Sequence, residues 1–575
     1  MIAMAGAFLT GCNDFLDDNR NPLDRETDNA AFWSMPDNCQ AQCDWFYDQF
    51  NAYGNGSGAG SFFFSQLSDD QCAYSFRDWT HINVPAASSD WRETYEVIRH
   101  AEYILHGVYN SQLSEDNKKY FEGVAKLNRA YQYFDIVRKF GDVVWIGKDY
   151  SKGEDVVNVN DDPILYAPRT NRDIVMDSVL RDLDYAVATL PVNADKMSWS
   201  RDLALAIKSY ACLWEGSFCK YRTQADNGIA PNAERAKKYF EESVKASTEL
   251  LPKYTLDATY SAKYHSLADE LAANPEVIFM RAYKNNVKFH STISYTASST
   301  ETAGISKDAF DDFLFSDGLP LASTTTKDKS DKGEVVELDG KKTVSIQKLL
   351  DVRDGRLAEI IDPYLMYTDM PYNRAGCTGI WSTTGYGVLK FDNINLPVAS
   401  RQNSAKNYTS CPLYWLSSVM LEYAEAKAEL GTITDADLNA SINQIFTRSG
   451  LPTRTVAELS AINDPQAAKD GVSSLLYEIR RCRRCELIMD KDYRYWDLIR
   501  WHQLNKLDSS LNPDIFLGAN VSMSPVEIAS TDLKGEYMNG SQGKTRTYAA
   551  KYYLYPIPSG QLTLNPDLGQ NPGWK

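Results

Sequence analysis

The feature that most constrains the fold is an apolar stripe at helical spacing. Phe121, Val124, Leu127, Tyr131, Phe134 and Val137 recur close to every 3.6 residues, the pattern of a helix with one buried face. Ser114, three residues before Asn117, opens the segment, and Gly141 closes it as the residue just past the helix end. A partner helix precedes it at about 90–109, carrying Trp91, Tyr95, Ile98, Tyr103 and Leu105. Small Ala125 and Ala130 allow the two to approach closely. Further helices follow at about 171–190, 202–221 and 233–251, and again at 413–430, 435–449, 471–489 and 492–502. Paired helices of this length carry faces that no single pair buries alone. They predict tetratricopeptide-like hairpins stacked side by side (about 90–251 and 411–502).

Between the two helical stretches lies a loop-rich insertion, about 252–410. It has a polar loop at 323–342 and short β-like runs at Glu276–Arg281, Gly333–Leu338 and Gly387–Phe391. Hydrophobic residues are 43% and charged residues 24% of 575, enough apolar surface for one large core over 36–575. The start reads differently. An apolar run from Met1 ends in Leu9-Thr10-Gly11-Cys12, small residues before a cysteine at the end of a stretch too short to span a bilayer. Residues 1–11 are therefore expected to be a lipoprotein signal remnant, Cys12 the lipidated residue, and 12–35 a polar tether.

Sixty Lys and Arg against 77 Asp and Glu give a net charge of −17, which argues against nucleic acid and polyanionic ligands and leaves a neutral ligand. The lone Cys482-x-x-Cys485 has no second ligand pair at metal spacing, so no metal is expected. A disulfide such as Cys39–Cys43 stays open for an exported chain. The six histidines form no HExxH, and no nucleophile elbow, Walker or dinucleotide glycine pattern stands in its proper context, so no cofactor is expected. A glycosidase needs two carboxyls about 5–5.5 or 6.5–9.5 Å apart across a sugar. Glu422 and Glu425, three apart on one helix, read instead as a solvated or salt-bridged face. Arg480, Arg481, Arg483 and Arg484 are the natural partners for buried carboxylates nearby.

Five stretches stand in one order from end to end. They are Cys12-Asn13-Asp14-Phe15-Leu16-Asp17; FEGVAKLNRAYQYFDIVRKFGDV at 121–143; CPLYWLSSVMLEYAEAKAELG at 411–431; IRRCRRCELIMDKDYRYWDLIRW at 479–501; and YLYPIPSGQLTLNPDLGQNPGW at 553–574. Together they resemble the SusD-like (RagB/SusD) lipoproteins of Bacteroidetes outer membranes. The chain departs from the family's usual pattern where Cys482 and Cys485 flank Arg483-Arg484, and where Lys491-Asp492 replace a Glu-Gly pair. The resemblance implies a mainly α fold with four tetratricopeptide-like hairpins and a loop-rich insertion with short strands. It implies a non-catalytic protein on the cell-surface side of the outer membrane. There it would bind oligo- or polysaccharide and deliver it to a SusC-like TonB-dependent transporter docked on the hairpin side. A peptide-binding member of the same family and a surface glycoside hydrolase are the rival readings.

Sugars stack their C–H faces on flat rings and need amide, carboxylate or guanidinium partners for desolvated hydroxyls. Most of the 35 Tyr, 22 Phe and 12 Trp lie at core spacing, Trp91 and Trp496 among them. The exceptions are loop-borne aromatics among polar residues. Phe76 with Arg77, Asp78 and Trp79 is one group. Tyr283 and Asn285 with Tyr295 form the second. Tyr372, Arg374 and Trp381, with Tyr367 and Tyr386, form the third. These are the expected ligand contacts, on the insertion and the N-terminal loops and not on the hairpins.

Overall fold

The computed structural model describes residues 30–58, 60–63, 67–73, 76, 78–158, 162–192, 195–298 and 303–575. Cys12 and Arg77 fall outside them.

The stripe that opened the sequence reading forms a long helix. Helix α1 spans Ser89–Tyr109 and α2 spans Glu115–Phe140. The Ser114 hydroxyl accepts from the Asn117 N–H at 3.3 Å, satisfying one orphan donor of the first turn. Gly141 ends α2 at φ +73°, a conformation glycine takes at little cost, and its N–H closes on the Val137 carbonyl at 2.8 Å. The stack continues with α3 (Arg172–Thr189), α4 (Arg201–Tyr221), α5 (Ala233–Leu250), α6 (Leu416–Glu429), α7 (Ser474–Glu486) and α8 (Tyr493–Arg500). Each of α1 to α6 packs on the next, and α8 returns onto α4. Helix α4 is therefore covered all round: every residue from Asp202 to Cys219 is buried. The mainly helical architecture expected from periodicity is the one observed.

Three details differ. Residues 411–415 are not helical. Val277–Arg281 (β1) pairs antiparallel with Cys411–Trp415, and α6 starts only at Leu416. A short, fully buried apolar run reads the same as helix or strand, and here the unpaired edge of β1 decides it. The expected 435–449 helix breaks at Ser441 (φ −140°, ψ −96°) into Asp435–Asn439 and Ile442–Arg448. Gly387–Phe391 makes isolated bridges, Gly304 to Gly387 and Ile361 to Val388, and no strand. The other two β-like runs hold: β1, and Glu334–Leu338 (β2), which pairs with Lys341–Ser345 (β3). All nine described cysteines are buried free thiols, so Cys39 and Cys43 form no disulfide. They are neighbours on the helix Pro36–Asp44, where burial pushes the Cys39 thiol up to about 11.

The arginine-rich helices do find carboxylates. Arg480 meets Glu429 at 2.8 Å, Arg483 meets Asp497 at 2.8 Å, and Arg484 meets Asp70 at 2.8 Å and Asp312 at 2.6 Å. Arg494 grips Asp69 through two bonds of 2.7 Å. Arg500 grips Glu425 at 2.7 and 2.6 Å, and the Trp501 indole donates to the same carboxylate at 2.7 Å. These groups are buried, except Glu429 and Asp312, which are half-buried. Glu425 thus lies inside the protein and not on a solvated face.

Removing one partner of such a pair leaves a desolvated charge behind. Glu425→Ala is expected to cost about 3–5 kcal/mol, read from its urea midpoint. Burial by itself would raise the Glu425 pKa, but Arg500 and its neighbours outweigh it and hold the carboxyl at about 2 against an ordinary 4.5. The group's contribution is therefore fully present above pH 4.5 and lost as pH falls towards 2. A wild-type midpoint that stays flat over that window would contradict the assignment.

Candidate ligand-binding face

The three loop groups singled out in the sequence lie far apart along the chain, and the fold draws their segments together. Gln71–Cys72 pairs antiparallel with Gly304–Ile305, and Gly304 bridges in turn to Gly387. The Thr383 hydroxyl donates to the Cys72 carbonyl at 3.0 Å. Glycine is required at 304 because a Cβ there would collide with Ser382 Oγ and Thr384 Oγ1. N-terminal loop, post-β1 segment and 366–386 loop are thus laced into one face.

Arg374 organises that face from beneath. It is 2% exposed. Its Nε donates to Asp362 Oδ2 at 2.8 Å, and Nη1 reaches the Thr296 carbonyl at 3.4 Å, joining the 372–381 loop to the short helix Thr292–Thr296. Asp392, 3.4 Å from Arg374, also takes both arms of Arg401 at 2.7 Å. Arg401 then donates to the Ala375 carbonyl at 2.9 Å. Ala375 sits at φ +44°, ψ +46°, a strained conformation that persists only where its surroundings impose it and that concentrates at functional sites.

Above this layer, aromatic rings stand half-buried. Tyr372 lies 4.6 Å from Tyr364, ring to ring, with its hydroxyl 3.4 Å from Asp362. Burial, then the Asp362 charge, pushes its phenol well above the ordinary range. Tyr295 and Trp381 are likewise half-buried, with exposed Asn373 and Asp369 on the same loop as Tyr372. Rings presented beside amides and carboxylates are what a sugar face demands. Tyr364 meets the criterion that selected its neighbours but was missed, because Pro363 and the apolar run Leu365-Met366 made it read as core.

Other expected contacts are placed elsewhere. Trp79 is 5% exposed, donates Nε1–H to the Thr547 carbonyl at 2.8 Å, and stacks on Tyr552 at 4.3 Å. Tyr283 is 1% exposed, with its hydroxyl on the Gly54 carbonyl at 2.5 Å and its ring edge-on to His290. Tyr367 and Tyr386 are buried too, the latter stacked on Phe310 at 4.8 Å. Trp79, Tyr283 and Tyr386 each seal a junction between segments remote in sequence. Asp78 is half-buried, and its carbonyl accepts from Arg546 Nε at 2.9 Å. Asn285 is exposed at the tip of the 284–288 turn, which is tied by Lys288 to Asp48 at 2.6 Å.

The two carboxylates weighed for a glycosidase, Glu422 and Glu425, are not on this face. Glu425 is locked to Arg500, and Glu422 is buried against the Ser209 hydroxyl at 2.5 Å, where burial lifts it to about 7.

Sequence and structure comparisons agree with this architecture. The sequence model of the SusD family matches residues 275–574, and a second, described as starch-binding and associating with the outer membrane, matches 14–212. No curated protein matches the chain. A SusD-like carbohydrate-binding protein from Bacteroides fragilis superposes with a TM-score of 0.67 at 20% identity, covering 93% of this chain and 99% of that one. A SusD-like protein from the same organism gives 0.65 at 21%, covering 96% and 100%. A laminarin-binding SusD-like protein gives 0.53 at 18%, covering 93% and 98%.

The division between sealing and presenting rings makes a stability prediction. Trp79→Ala is expected to lose about 3–5 kcal/mol, whereas Trp381→Ala loses about 1 kcal/mol or less. Thermal melts of the two variants decide it, and a Trp79→Ala protein that melts like wild type would return Trp79 to the ligand-facing set.

Proposed function

As this chain belongs to the SusD family, we propose that it is a non-catalytic binder of neutral oligo- and polysaccharides. It hands its ligand to a SusC-like TonB-dependent transporter. The observation that carries the reading is the convergence of the loop segments on one pinned face with half-buried Tyr295, Tyr372 and Trp381. These three rings are the proposed stacking contacts. Asp78 and Asn285, with Arg77, are proposed as further polar contacts. Trp79, Tyr283 and Arg374 hold the loops in place. A net charge of −17 supports a neutral ligand.

Among the described residues no helix is long and apolar enough to cross a membrane. Attachment through acyl chains on Cys12 is the proposed anchor, supported by the Leu-Thr-Gly-Cys box and by a family description that includes outer-membrane association. The hairpin side is proposed as the transporter-facing side, because its helices spend their apolar faces on one another and leave a large regular surface. Affinity is expected to be weak, about micromolar to millimolar, since a delivering protein must release its cargo and affinity is tuned mostly through the off-rate.

Affinity electrophoresis against glucans, fructans, xylans and mannans tests the reading. Retardation is expected by at least one of them. It should weaken about tenfold or more in Tyr372→Ala/Trp381→Ala, as loss of stacked rings worth about 1–3 kcal/mol requires. Retardation by none, or by casein peptides instead, would overturn the glycan assignment, and new reducing ends would make the protein a hydrolase. The anchor has its own check: in cells lacking the transporter, Cys12→Ala protein should leave the membrane fraction, and its retention there would contradict lipidation.

A further inference from the structure

A second polar chamber is lined by Ser61, Leu67 and Thr80 of the N-terminal loop together with residues of α2 and α8, and by none of Tyr295, Tyr372 and Trp381. It has a volume of about 340 Å³, within the range of small-ligand sites. One wall is a single face of α2, where Tyr131, Gln132, Asp135 and Arg138 follow at helical spacing, and the opposite wall is Asp492 and Trp496 at the start of α8. Ser61, exposed, stands at its edge.

The charges in this chamber answer one another. Asp135 binds Arg138 at 2.5 Å and Lys139 at 2.7 Å, and Lys139 also reaches Asp90 at 2.7 Å. The Arg138 guanidinium lies 4.1 Å over the Trp496 ring. An ionic ligand would have to break these pairs. Gln132 is different. It is 7% exposed and lines the chamber, and its amide has no hydrogen-bond partner among the described residues. As part of the chamber lining, this amide offers two donors and an acceptor to whatever enters.

The backbone opposite is held in an unusual shape. Met489, Lys491 and Asp492 have φ of +64°, +47° and +56°, and none is glycine. The Lys491 N–H bonds the Phe62 carbonyl at 2.8 Å, and Asp490 is clamped by Lys390 at 2.7 Å and by the Tyr264 hydroxyl at 2.7 Å. Neighbours on both sides thus impose the conformation that sets Asp492 in the chamber wall.

We infer that this chamber between α2 and the start of α8 is a binding site for one small neutral polyol, of the size and chemistry of a single sugar residue. Amide, carboxylate and hydroxyl groups around it suit vicinal hydroxyls, and tyrosine and tryptophan rings suit the C–H faces between them. The site shares no ring with the proposed stacking contacts of the loop face.

Saturation-transfer NMR on the full chain with D-glucose, D-galactose, D-mannose and D-xylose tests this. Transfer to at least one of the four is expected. It is measured in the Tyr372→Ala/Trp381→Ala background, where the loop rings no longer contribute, and should be about tenfold weaker or worse when Gln132→Leu is added, which removes the unanswered amide. If Gln132→Leu melts well below its parent, Gln132→Met takes its place. No transfer from any of the four sugars in that background means that the chamber holds only water and overturns the inference. Transfer that persists when Gln132 is substituted overturns it too. Failure of the loop face alone would leave the chamber's signal intact.

Discussion

Arg484 ties the helical stack to the N-terminal loop and to the insertion at once. Its guanidinium meets Asp70 of the N-terminal loop, and Asp308 and Asp312 of the insertion, from a position on α7. Arg494 adds Asp69, and Arg481 adds Asp312 again at 3.2 Å and Glu478 at 3.1 Å. Farther along α7, Glu486 gathers Arg356 at 3.0 Å and Arg448 at 2.6 Å. Buried pairs of this kind contribute little net stability, because desolvation offsets most of the attraction. Their effect is on uniqueness. A loop that carries Asp69 and Asp70 has one place where both charges are met, and any other arrangement leaves them desolvated and alone. Loops without a regular apolar face are thereby given a fixed address on the helical stack.

That logic explains what the sequence revealed and what it withheld. The helices of the stack were legible because their stripes repeat and their caps are local: Ser114 and Gly141 bracket α2 within a residue of expectation. The presence of arginine partners was legible from charge in an apolar setting. Which carboxylates they take was not, because Asp69 and Arg494 are brought together only by the finished fold. The same holds for residues 411–415, where a buried apolar run acquires strand geometry from β1, more than a hundred positions away.

The aromatic residues separate along the same line. Trp79, Tyr283 and Tyr386 looked like ligand contacts because their sequence neighbours are polar. Yet each seals a junction between segments remote in sequence, Trp79 against Thr547 and Tyr552, Tyr386 against Phe310. Tyr372 and Trp381 stay half-exposed because the loop that carries them is supported from below by Arg374 and Asp392 and needs no ring to fill its base. Local polarity finds the loops. Only the folded structure shows which of their rings turn inward and which stay partly exposed.

The pinned loops, and not α5 and α6, are the proposed surface for polysaccharide recognition. Hydrogen exchange, followed with and without the glycan that retards the protein, measures this directly. The account predicts slowed exchange in 292–298 and 366–386, with the α4 and α5 amides unchanged. Protection confined to α5 and α6, with none in those loops, would contradict it.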